Sequence, residues 1–514
     1  MKTLLVTILL SLSSFYSYSQ NSEQWVARFN GTGNISDAVN KTKVDRFGNI
    51  YVSGYTNSDG GNIDFCLLKY NSAGILQWSR TYDNFNHTTD DCYYMTIDDA
   101  GNIYQSGISD TGMVTIKYNS AGDFLWLKDF GGLVIGGKNE DLYICGESSN
   151  HLTVKKFSSS GTLLWENSNS SPGTYALDAA LDQSGNIFLT GGITRDSSNE
   201  IGTWKYDISG NLIWEVFYKY SVRAYYRGVF VKTDALGNTY VAGESTSLGL
   251  TDCDFVTLKY NSEGEQLWAT LYKGNEYNSQ YIRGMAVDAG QNIYITGESS
   301  SDYATIKYNS NGEQQWCAIY NGEANKRDEV YGIGVDGASN VYVTGWSQAE
   351  ESMNCVTIKY NTYGVQQWKQ AYHGPVSGVN CTNSIAVDST GNVYAAGFSE
   401  GDGTQADIIL IKYGQTTEVN PVSAEIPVKY SLLQNYPNPF NPNTNIEFAL
   451  PENTYVTLKV FDMAGREIYT LVNEILSPGI YRFNFNGSYL ASGAYFYKLQ
   501  TSKFTETKKM VLVK

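Results

Sequence analysis

Residues 285–318 read MAVDAGQNIYITGESSSDYATIKYNSNGEQQWCA, and this one stretch decides the fold. Three short runs rich in β-branched and aromatic side chains, Met285–Val287, Ile293–Thr296 and Ala304–Tyr308, precede a fourth around Gln315–Ala318. The spacers between them are built from Asp, Asn, Ser and Gly, which hydrogen-bond their own backbone or accept positive φ and so fold strands back in tight turns. The stretch predicts four antiparallel strands, named a to d below.

The unit recurs along most of the chain. Its strand b aromatic stands at Tyr51, Tyr104, Tyr143, Phe188, Tyr240, Tyr294, Tyr342 and Tyr394, a span of 343 residues over seven intervals and a mean period of 49. Three residues after each comes a glycine, from Gly54 to Gly397. Strand c ends in Lys-Tyr in every unit but the third, which has Lys156-Phe157, and seven units then place a Trp four residues after a Gly, as in Gly312 and Trp316. Four antiparallel strands at this period predict a propeller blade rather than a helical solenoid. The eighth unit stops after Lys412-Tyr413 with no Trp strand, while Gln24–Phe29 is a Trp strand with nothing before it. The expected architecture is all-β, an eight-bladed β-propeller over residues 20–416 closed by its N-terminal strand, which removes an open sheet edge. The third unit lacks the usual turn at Gly136-Gly137-Lys138-Asn139 and predicts a distorted blade.

Over roughly residues 25–413 these markers resemble the bacterial β-propeller repeat family, usually described as seven-bladed; eight units depart from that description. A narrower likeness to quinoprotein dehydrogenases is limited to the Gly-to-Trp spacing, since no adjacent cysteine pair is present and no carboxylate–Asn–Arg set stands out for a metal-bound quinone.

The 514 residues carry a formal net charge of −16, which repels phosphate backbones and anionic lipid and argues against nucleic acid as a partner. Lys2, the apolar run Leu4–Leu10 and Ser17-Tyr18-Ser19 predict a signal peptide at residues 1–19 and a mature chain opening near Gln20. That run is too short to span a bilayer, and no later stretch does better. Seven dispersed cysteines are no disulfide framework and supply no CxxC pair for zinc; most read as small buried hydrophobes.

Residues 417–429 read as a linker, after which the period vanishes and prolines appear at 437, 439, 442 and 451. Alternation returns in Tyr455–Phe461, Gly479–Phe483 and Ala494–Leu499, which predicts a small Ig-like β-sandwich. Residues 430–514 resemble the type A sorting domain of the type IX secretion system. The likeness rests on Tyr436-Pro437-Asn438-Pro439-Phe440, on the hairpin around Gly465, on Leu490–Tyr495 with Gly493 and Tyr495, and on the end Lys508–Lys514 with Lys509 and Lys514. It implies passage through the periplasm, recognition by the type IX machinery, release or anchoring at the outer surface, and removal of the domain.

Chemistry is thin. His87, His151 and His373 are isolated, and no nucleophile elbow, HExxH or phosphate loop occurs. The aspartates ending strand a (Asp45, Asp98, Asp182, Asp234, Asp288, Asp336 and Asp388) each precede a short turn ending in Asn, so they read as turn acceptors rather than metal ligands. The Lys of strand c and the Trp of strand d read as interblade contacts. No catalytic residue, metal or cofactor is expected.

One position varies while its neighbours repeat. After the strand b glycine stand Tyr55, Ile108, Glu147, Gly192, Glu244, Glu298, Trp346 and Phe398. They fall on the rim formed by the b–c loops and the d–a connectors. Trp346, Phe398 and Tyr55, adjacent through ring closure, are expected to form an aromatic platform that stacks on a polysaccharide or peptide ligand. The function expected is a surface binding module for adhesion or carbohydrate capture. Its rivals are an architectural protein without a discrete ligand and a polysaccharide hydrolase or lyase using Glu244 and Glu298.

Overall fold

The computed structural model of the chain describes residues 23–513 apart from 59–60, 111, 138–139, 149, 196–197, 222–223, 248–252, 275–279, 415–420, 424–425, 464, 466, 488–489 and 491. The expected signal peptide, its cleavage point and Lys514 lie outside the described residues, as does part of the expected linker. Among those described there is no α-helix, and no helix is long and apolar enough to cross a membrane.

Residues 23–413 form eight four-stranded antiparallel sheets. The first comprises Ala38–Val44, Ile50–Asn57, Ile63–Tyr70 and Leu76–Tyr82, hydrogen-bonded in chain order a to d. In the eighth, Asn380–Val387, Val393–Glu400 and Ala406–Tyr413 are completed on the outside by Glu23–Phe29, with Ala27 opposite Leu410 and Phe29 opposite Ile408. Strand a of each sheet touches strand a of the next, and that of the eighth touches that of the first. There the Thr42 amide donates to Ser384 Oγ at 2.9 Å and Asn383 Nδ2 to the Val39 carbonyl at 3.1 Å.

The repeated residues are explained at these junctions. In seven sheets strand a carries a bulge, as between Val39 and Lys41. The bulge pushes a carbonyl toward strand b, and a Cβ at Gly54 would lie 2.0 Å from the Ala38 oxygen. Only glycine leaves that space. The Gly of the c–d turn has positive φ and seats the preceding sheet's indole: Gly312 faces Trp268, Gly364 faces Trp316, and Gly74 faces Trp25. The strand c lysine crosses the same junction to a turn carbonyl, Lys69 to Ser120 at 2.8 Å and Lys117 to Ser159 at 2.9 Å, and Lys412 to Ser72 at 3.4 Å between the eighth sheet and the first. Seven of the eight indoles also meet the strand b aromatic, with Tyr294 and Trp316 centroids 6.1 Å apart, a type of pair that contributes about 0.5–1.5 kcal/mol beyond area burial.

The strand a aspartates are turn acceptors. Asp98 Oδ1 takes the Ala100 and Asn102 amides while Oδ2 takes Asn102 Nδ2 and the Tyr104 hydroxyl. All seven cysteines are free, six of them buried. The third sheet is complete but its strand a is only Leu133–Gly136, paired from Leu133 opposite Cys145.

From residue 421 onward two four-stranded antiparallel sheets share one core; Pro421–Ser423, expected to be linker, is instead a strand that pairs with Gly479–Asn486. Asn443–Leu450 and Gly479–Asn486 supply Phe448, Tyr481 and Phe483 from one sheet. Thr454–Phe461, Glu467–Leu476, Gly493–Gln500 and Thr505–Leu512 supply Leu458, Val460, Tyr497 and Met510 from the other.

Candidate functional site

The structure places the variable strand b residues at equivalent registers near the rim, but it does not expose them equally. Tyr55 lies opposite Ala38, Phe398 opposite Cys381 and Trp346 opposite Glu329. Tyr55 and Phe398 are half-buried, whereas Trp346 is 8% exposed and lies beside Tyr331. Its ring face is therefore covered by protein.

Glu244 and Glu298 are engaged in ion pairs at sheet junctions. Glu244 binds Arg227 at 2.7 Å and accepts the Ile282 amide of the next sheet at 3.0 Å. Glu298 meets Arg327 of the next sheet at 3.3 Å, and that guanidinium also holds Glu329 at 2.5 Å. Both carboxylates are thus buried and held by guanidinium partners.

Glu147 differs from them because the third sheet's strand a starts too low to face it. Gly131 and Gly132 occupy the place of that strand's upper end, and a cavity of about 410 Å³ opens beside them. Tyr94 and Tyr175, from the neighbouring sheets, line it with Phe130 and Met113, and Glu147 and Asp129 stand exposed at its edge. Gly192 explains the pose of Tyr175: a Cβ there would sit 2.5 Å from the Tyr175 hydroxyl oxygen, so the missing side chain lets the ring lie over strand b. Burial raises the Tyr94 and Tyr175 hydroxyls above the usual phenol range, so both remain protonated donors at neutral pH. Reading one unit at a time missed this cavity; its signal was the shortened third unit together with Gly192.

The innermost strands also bring together cations from distant parts of the chain. Lys41 and Lys43 of the first sheet feel Lys232 of the fifth and Asp178 of the fourth, and Lys232 binds Asp178 at 3.2 Å. Lys41 and Lys43 are exposed on the innermost strand of the first sheet. Burial first, then Lys232 and Lys41, lowers Lys43 to about 8.

A further group that sequence reasoning missed is Asp64, Asp83 and Asp90, brought together at the junction of the first and second sheets. Asp90 is one of the d–a connector residues, Asp64 is the second residue of strand c, and Asp83 directly follows strand d.

In the C-terminal domain Tyr436 is 80% exposed and Phe440 is buried, with Pro437, Asn438 and Pro439 between them. The segment is tied to the final strand. The Val511 amide donates to Asn438 Oδ1 at 2.9 Å, and Phe440 exchanges backbone bonds with Val511 and Val513 at 2.9 and 3.0 Å. Tyr495 pairs with Met510 and Lys509 with Phe496, Gly493 lies opposite Leu512, and Gly465 turns a hairpin at φ 76°. Residues far apart in sequence thus build one surface.

Comparison with family models shows what that surface is. Residues 434–514 match the secretion system C-terminal sorting domain. The chain carries a type IX secretion sorting domain. Residues 24–62 and 318–350 match the beta-propeller repeat. The sorting domain directs secretion to the cell surface and implies the type IX machinery as partner. No curated protein matches the chain. Among solved structures it is similar to PorZ, an essential bacterial surface component of the type IX secretion system of Porphyromonas gingivalis, at 16% identity over 92% of this chain and 70% of that one, TM-score 0.41. It is also similar to an ulvan lyase at 14% identity (77% and 96% covered, TM-score 0.40) and to a protein from Lactobacillus plantarum at 13% (63% and 95%, TM-score 0.41).

Proposed function

We propose that the chain is a surface-delivered binding module: an eight-bladed β-propeller of residues 20–416 that captures carbohydrate, joined by residues 417–429 to an Ig-like sorting sandwich of residues 430–514. The observation that carries the binding role is the rim cavity of about 410 Å³, with aromatic walls Tyr94, Tyr175 and Phe130 and acceptors Glu147 and Asp129. Aromatic rings cover the apolar faces of a pyranose while carboxylates take its hydroxyl protons, which is the division of labour a saccharide site needs. Its volume accommodates one or two sugar residues, so a polymer would be held by a terminus or a single branch. Tyr55 and Phe398 extend the reading along the rim as a further stacking surface, with Trp346 supporting it from within.

A glycan array with the purified chain tests this reading. Tyr175→Ala and Glu147→Gln should each reduce retention of the bound glycan at least about tenfold, as loss of one good contact does, with an unchanged melting temperature. Trp346→Ala is not a usable probe of binding, because removing a buried indole lowers stability by itself. Regular self-assembly with no glycan retained would favour the architectural reading. Product release from a polysaccharide, lost in Glu244→Gln, would favour the enzymatic one.

A further inference from the structure

We propose that Asp64, Asp83 and Asp90 bind one calcium ion that clips the connector between the first two sheets to the rim. Asp64 is the second residue of strand c, Asp83 directly follows strand d, and Asp90 directly precedes strand a of the next sheet. The Asp90 amide donates to the Ile63 carbonyl at 2.6 Å, which fixes the connector beside strand c. One carboxylate oxygen from each residue lies within 4.8 Å of the others. Calcium–oxygen distances of about 2.3–2.6 Å allow oxygens so spaced to share a single ion.

The second observation is an atom without a partner. Asp64 is only 5% exposed, and its Oδ1 receives no hydrogen bond among the described residues. A buried carboxylate oxygen left in that state is costly unless a cation meets it. Burial, then the charges of Asp83 and Asp90, push Asp64 up to about 6 against a hydrogen bond from Ser58.

The same place at the junction of the eighth and first sheets shows how the fold otherwise handles this geometry. Asp407 is the second residue of its strand c and Asp37 precedes the next strand a, whose chain is tied by the Asp37 amide to the Ala406 carbonyl at 2.6 Å. There the Arg28 guanidinium supplies the positive charge, 2.6 Å from Asp407 Oδ2. Between the first and second sheets a third carboxylate, Asp83, stands nearby instead, and among the described residues no lysine or arginine is ion-paired with any of the three. His87 lies 2.5 Å from Asp83 Oδ2, and Asn84 donates its amide and Nδ2 to Asp90 at 2.8 and 2.9 Å, which orients that carboxylate without neutralising it. An all-carboxylate set suits a hard cation with a flexible oxygen shell completed by water, which favours Ca²⁺ over Zn²⁺ and over the tighter octahedron of Mg²⁺. The clipped connector presents Phe85, 96% exposed, on the ligand-facing rim.

The test is calorimetric titration and thermal melting of the full chain, stripped with a chelator and then given CaCl₂, MgCl₂ or ZnCl₂. The expected result is one Ca²⁺ per chain with Kd below about 1 mM and a melting temperature raised by about 3 °C at saturation. Asp64→Asn, Asp90→Asn and the exposed Asp83→Asn should each weaken Ca²⁺ at least tenfold, while Asp407→Asn leaves it unchanged. Asp64→Asn should also raise the metal-free melting temperature by removing repulsion. No Ca²⁺ response in the wild type, Ca²⁺ affinity unchanged in Asp64→Asn and Asp83→Asn, or a stronger response to Mg²⁺ or Zn²⁺ would each overturn the assignment.

Discussion

A methyl group at Gly345 would sit 2.0 Å from the Glu329 carbonyl oxygen and 2.8 Å from the Tyr303 hydroxyl. The first neighbour is backbone held by a sheet ladder, so it cannot yield locally. Gly345→Ala should therefore cost about 1–3 kcal/mol, the range for overpacking in a close-packed interior, read as a lowered denaturant midpoint at constant slope. The turn aspartates make a second prediction at this scale. Burial alone would raise Asp234, but donors from the Asn238 side chain, the Tyr240 hydroxyl and the Asn238 and Leu236 amides outweigh it and hold the carboxyl below its ordinary value; Asp288 is lowered in the same way. A carboxyl depressed in the folded state binds fewer protons there than in the unfolded chain, so its contribution is present above the unfolded value and lost as pH falls below about 4. Melting temperature should drop through that window, and Asp234→Asn should flatten the drop.

At the scale of the strand the informative element is Glu23–Phe29. It pairs with Ala406–Tyr413 and lays Trp25 against Gly74 of the first sheet, so it belongs to two junctions at once. Trp25→Ala should destabilise the propeller by about 3 kcal/mol, at the lower end of large-to-small losses because the indole is only partly buried. Deleting residues 23–29 should leave the edge of Ala406–Tyr413 free and produce concentration-dependent association in sedimentation experiments. Such elements were legible in the sequence because most junctions reuse the same three contacts, so Gly, Lys and Trp recur at fixed spacing. The cavity was not legible from single units. It arises where strand a is cut short at Leu133, and its walls, Tyr94 and Tyr175, come from the flanking sheets. For the same reason the covered face of Trp346 was invisible: its partner Tyr331 sits at the strand a bulge across from it, a position no periodicity marks. The arginines that occupy Glu244 and Glu298 were hidden likewise, since Arg227 and Arg327 share no spacing with them.

At the scale of the whole molecule, delivery and binding are separable. The sorting domain has its own core, so a chain ending at residue 416 should keep the propeller's melting behaviour yet remain in the periplasm when cells are fractionated, while the full chain reaches the surface. Fusing residues 430–514 to an unrelated passenger should carry that passenger out.

The pairing of Trp25 with Lys412 also has a kinetic meaning. Contacts so distant along the chain form last, because the entropy of bringing the ends together is not offset until the intervening sheets exist. A ribosome or a translocase that has delivered seven sheets still holds an unfinished arc whose first strand has nowhere to bind. The torus thus stays open until nearly the moment the sorting sequence emerges, so folding of the cargo and readiness of its address tag are timed by the same stretch of polypeptide.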